Sequence, residues 1–125
     1  MPSAPRILSI SSDYSVFQTR NQVLTAAGFE VVGCFRGEGA LQIFAQDSFV
    51  GVVIGGSVPK ETRHVLVQEF KRLRPSVLVV IVERPGESMD TDGADMVVES
   101  TDGPQRLIDL LSTLVSSATG IPKKV

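Results

Sequence analysis

The stretch from Phe49 to Val82, FVGVVIGGSVPKETRHVLVQEFKRLRPSVLVVIV, decides the fold. It opens on an almost wholly apolar run, Phe49–Ile54, of the kind a strand needs when both its faces are covered. Gly55-Gly56-Ser57-Val58-Pro59 breaks that run, and Lys60–Leu73 follows with apolar residues Val65, Leu66, Phe70 and Leu73 at helical spacing. Pro75 lies beyond the helix end, and Val77–Val82 is a second, still more apolar strand. Strand, helix and strand of these lengths make a βαβ unit, which implies a parallel sheet.

The same alternation extends in both directions. Ile7–Ile10 reads as a first strand, and Asp13 is placed to cap a helix whose inward face carries Val16, Phe17, Arg20, Val23, Leu24 and Ala27. Gly28 stands where a helix takes a left-handed terminal residue. Phe29–Cys34 is the second strand, and Glu38–Gln46 a short helix burying Leu41, Phe44 and Ala45. Past Val82, Met96–Val98 is a fifth strand, and Pro104 opens a last helix with the stripe Leu107, Ile108, Leu111, Leu114 and Val115. Residues 1–115 therefore form one domain, and 116–125 a tail without periodicity.

With 125 residues, one core is the natural size. A net charge of -2 gives no basic field for nucleic acid, and no apolar run is long enough to span a membrane. The N-terminus lacks the apolar stretch of a signal peptide, so a cytoplasmic location is expected. One cysteine, Cys34, and one histidine, His64, exclude a disulfide, a Cys cluster and a multi-His metal site. Cys34 reads as a small buried hydrophobe, His64 as a surface residue and Tyr14 as amphipathic packing at the start of the first helix. Charge is segregated: Lys60–Arg74 holds five bases and two acids, whereas Glu83–Asp102 holds seven acids and one base. Such blocks are solvated faces or a charge-steered protein contact.

In order and spacing, Ile7–Asp13 with Arg20 after it, Ala26–Val31, Ala40-Leu41, Val58-Pro59, Arg74-Pro75 and Gly93-Ala94-Asp95 resemble a response-regulator receiver domain. The resemblance covers about Arg6 to Val115. It implies a flavodoxin-like α/β fold, a five-stranded parallel sheet of order 2-1-3-4-5 with helices on both faces, and a site at the C-terminal strand ends. Receivers place two acids after strand one and an acceptor aspartate after strand three to hold Mg²⁺ and take a phosphoryl group. They add a Thr or Ser after strand four, an aromatic on strand five and a Lys-Pro pair after it. Carried onto this chain, the acid pair falls on Ser11 and Ser12, the acceptor on Gly55 and the Thr on Glu83. The aromatic falls on Val97, and the Lys-Pro pair on Ser100 and Thr101. Hydroxyls do not replace carboxylates for a divalent cation, glycine has no nucleophile, and Glu83 would repel a phosphoryl group. The resemblance thus implies a pseudo-receiver without phosphoacceptor, metal, cofactor or enzymatic activity, working in two-component signalling through a protein partner.

Two further expectations follow from the residues. Arg84–Asp92 contains Pro85, Gly86 and a single large apolar residue, Met89, so the helix between strands four and five should be shortened or missing. That would bare Val80, Val82 and Val97 as a contact surface, suited to a homodimer with the acidic block as rim against a basic third helix. The alternative is a small-molecule or nucleotide binder using the loops after strands one and three. Gly55-Gly56-Ser57 fits neither phosphate-loop spacing and reads as a tight turn. Ser57 as a nucleophile would need a base, and His64 on the next helix comes without a third member.

Overall fold

A computed structural model describes residues 4–83, 93–99 and 104–118, with the side chains of 104 and 114–118 excepted. Among the described residues the elements run, in chain order, β1 (Arg6–Ser11), α1 (Tyr14–Ala26), β2 (Glu30–Phe35), α2 (Ala40–Gln46), β3 (Gly51–Gly55), α3 (Lys60–Leu73), β4 (Leu78–Glu83), β5 (Met96–Glu99) and α4 (Pro104–Ala118). The strands form one parallel sheet in the order β2-β1-β3-β4-β5, as the sequence implies. The expected loop in place of a helix after β4 falls on residues 84–92, outside the described residues, as do Ser100 and the tail beyond 118. Among the described residues no helix is long and apolar enough to cross a membrane.

Alternation along the strands splits the interior into two layers. Leu8, Ile10, Val52, Ile54, Val79 and Ile81 meet Phe44, Leu66 and Phe70 of α2 and α3 on one face. Ile7, Val53, Val80 and Val98 meet Leu24, Leu107 and Leu111 of α1 and α4 on the other. Local chemistry sets the boundaries of α1. Asp13 accepts a hydrogen bond from the Val16 amide at 3.2 Å, and Gly28 after the helix takes φ +104°. Gly33 is required by packing, because a Cβ there would meet the Phe17 ring at 2.6 Å and would hold α1 off β2.

Some helix faces turn differently from the sequence reading. Val65 and Leu73 are exposed on α3, while Arg63 and Val67 take the inward positions. Val16 is exposed on α1, and Ala45 on α2. In each case the amphipathic stripe is narrower than the count of apolar residues suggests, so the outermost of them are left in water.

The expected contact surface is corrected on two grounds. Val80 is wholly buried beneath α1 and α4. Moreover, Ile81 pairs with Val97 and Val82 with Val98, so Val97 belongs to the α3 face and Val80 and Val82 to the opposite one. The three valines never share a surface. The charge blocks also meet inside the molecule: Arg63 pairs with Glu83, and Lys71 with Asp95 at 2.7 Å. Asp95 further accepts from the Val79 amide, tying α3 to the start of β4 and β5.

Candidate functional site

The C-terminal ends of β1 and β3 bring Ser11, Ser12, Gly55 and Ser57 together. Ser57 Oγ lies 3.1 Å from Ser11 Oγ and accepts from the Ser12 amide at 2.9 Å, so it clasps the loop after β3 to the loop after β1. Ser11 Oγ accepts from the Asp13 amide, which leaves Asp13 itself outside the cluster as the cap of α1. The chain turns here by a hydrogen bond from the Val58 amide to the Gly55 carbonyl at 3.1 Å. Ser57 is therefore a structural bridge, and His64 stands exposed on α3.

Gly55 has an ordinary negative φ; the constraint on it is spatial. A Cβ at this position would lie 3.2 and 3.3 Å from the Arg20 guanidinium nitrogens and 3.3 Å from Ser11 Oγ. Arg20 reaches inward from α1 with only 8% of its surface exposed, and its Nη2 donates to the Ile10 carbonyl at 2.8 Å. Its Nε and Nη1 are buried without a hydrogen-bond partner among the described residues. Burial alone pulls its pKa down to about 10. The charge beside Gly55 is thus a fixed cation, supplied by a side chain that the sequence reading had placed in the apolar stripe of α1. A charged residue inside an otherwise apolar helical face was the available signal.

Glu83 is placed by the end of β4, and its side chain turns to the α3 face. It is 1% exposed, with both carboxylate oxygens 3.1 Å from the Arg63 guanidinium. One hydrogen bond, from Nη1 to Oε1, and the Nη2–Oε2 ion pair hold the two together, so the guanidinium offsets the repulsion expected of a bare Glu83. Val97 packs two residues lower on the same face, opposite Ile81, and does not reach the strand end. Cys34 is buried, and burial first, then Glu38, push its thiol pKa up, which opposes reactivity.

These groups do not fit a divalent cation. Three oxygen ligands of a receiver are here two neutral hydroxyls and a glycine, and a guanidinium stands among them. Among the described residues no group of three His, Cys, Asp or Glu could hold a metal ion.

Beside this cluster a cleft of about 340 Å³ opens between α1 and α4. Val82 and Val98 of the sheet, Val16 and Val23 of α1 and Leu107 of α4 line it, together with Arg20 and Glu99.

No family model matches the chain, and no curated protein does. Solved structures do. A CheY-like receiver domain protein from Methanospirillum hungatei matches at TM-score 0.80 and 21% identity, over 96% of this chain and 100% of that one. A receiver domain from Clostridium thermocellum matches at TM-score 0.80 and 21% identity, over 94% and 99%. A Thermotoga maritima response regulator, solved in complex with Mg²⁺-BeF, matches at TM-score 0.76 and 17% identity, over 88% and 98%. The chain has the fold of response-regulator receiver domains.

Proposed function

We propose that this receiver fold serves as a signalling and protein-interaction domain that works without phosphoryl transfer. One observation carries the reading: the acceptor position is Gly55, and the space its missing side chain leaves is taken by the Arg20 guanidinium. A nucleophile is absent there, and the hydroxyls of Ser11 and Ser57 spend themselves on each other and on loop amides. The carboxylates of Asp13 and Glu83 are engaged elsewhere, Asp13 as a helix cap and Glu83 as the partner of Arg63. Neither enzymatic activity nor a cofactor belongs to this reading, and its output is the binding of another signalling protein or of a second copy.

Incubation with acetyl phosphate and Mg²⁺, followed by intact-mass measurement, tests it. The expected result is no increase of one phosphoryl group. A stoichiometric, hydroxylamine-labile adduct mapped to Asp13 would overturn the reading.

A further inference from the structure

We propose that the cleft between α1 and α4 binds a small molecule with an apolar body and a single carboxylate, whose charge Arg20 takes up. This goes beyond the phosphorylation-independent reading and stands or falls separately from it. Two independent observations meet in the cleft. Its lining is mostly aliphatic, from Val16, Val23, Val82, Val98 and Leu107, and its volume of about 340 Å³ lies in the range of small-ligand pockets. Among these side chains stands one arginine, nine-tenths buried, that no carboxylate of the described residues pairs with.

The second observation selects the ligand. A guanidinium has five N–H donors, and among the described residues the Ile10 carbonyl alone accepts from this one. Buried cations are ordinarily paired, because an uncompensated one loses hydration without return. Among the described residues Glu99 is the acid that lines the cleft, and it accepts no hydrogen bond from Arg20. One guanidinium neutralises one negative charge. A monoanionic carboxylate therefore satisfies it, whereas a doubly charged phosphate would carry a surplus charge into aliphatic surroundings. The aliphatic lining then accounts for the remainder of the ligand.

The test uses octanoate as probe and octanol as its uncharged counterpart, both below their aggregation limits, titrated against the full chain and followed by amide NMR. Octanoate should give saturable shifts at Val23, Val82, Val98 and Leu107, and should bind about tenfold more tightly than octanol, as one charge-assisted hydrogen-bonded pair allows. In Arg20→Met the octanoate preference should vanish. Val82→Phe, which fills the cleft from the sheet side, should abolish binding of both probes and supplies the answer if Arg20→Met does not fold. Three outcomes overturn the proposal: equal affinities of the two probes for the wild type, a preference that survives in Arg20→Met, or no saturable shift at millimolar octanoate. Binding that survives unchanged in Val82→Phe overturns the location.

Discussion

Arg20 is the residue on which the energetics turn. A guanidinium whose pKa burial pulls down to about 10 is protonated in both folded and unfolded chains at neutral pH, and folding there bears the full desolvation penalty. Replacing such a group by an apolar side chain of similar length removes that penalty, so Arg20→Met should raise the unfolding free energy by about 1–3 kcal/mol in urea melts at pH 7. The sign with pH follows from proton counting. Above pH 10, and until the unfolded chain's arginine titrates in turn, the unfolded chain binds the proton more fully than the folded one, so the wild type regains stability as pH rises. The advantage of Arg20→Met should narrow above pH 10, and an advantage that instead widened would contradict the burial of the charge. Gly55→Asp makes a complementary test. Its Cβ would press on the movable end of Arg20, and its carboxylate would pair with the guanidinium. The variant should fold, yet remain unlabelled by acetyl phosphate with Mg²⁺, since Ser11 and Ser12 still offer no carboxylate for the metal.

Between elements, α3 and β4 are joined by the Arg63–Glu83 couple. Arg63→Ala leaves a fully buried carboxylate without its partner and should cost about 3–5 kcal/mol, whereas Arg63→Met with Glu83→Leu should come within about 1 kcal/mol of the wild type or exceed it. Chemical denaturation of the three variants measures both. The elements themselves were legible in the sequence: Lys60–Leu73 and the start of the last helix at Pro104 are as read, and the strands differ by one or two residues at their ends. Hydrophobic periodicity and cap residues are local signals, and they act over the distance a sequence reading covers. The site was only half legible. Ser11, Ser12 and Gly55 do converge, because strand ends in a parallel sheet fall on one edge. Arg20 is legible as an inward-facing residue of the first helix, but its reach to Gly55, the Arg63–Glu83 pair and the Ser57 clasp are not, since each depends on which side chain reaches across from a neighbouring element. The grouping of Val80, Val82 and Val97 failed for a related reason. Which face a strand residue takes is set by pairing register, and a shift of one residue inverts it.

For the whole molecule, the segregated charges are folded against each other. Lys71–Asp95 and Arg63–Glu83 consume parts of both blocks internally, which weakens any head-to-tail attraction between copies through α3. The apparent mass in light scattering should accordingly stay constant as salt rises from about 0.05 to about 0.5 M, a range over which exposed charge pairs are screened away. A mass that fell with salt would show that the blocks pair between molecules. The aromatic contact at the start of α1 has an optical consequence. Tyr14 is the only tyrosine, and the chain has no tryptophan. It packs edge-on against Phe35, 5.5 Å between ring centres, and its neighbours Ser15 and Val16 border the cleft. Tyrosine emission from this protein therefore originates at a single point, the first turn of α1, and any occupant or partner that moves that turn will be read by a fluorophore the chain already carries.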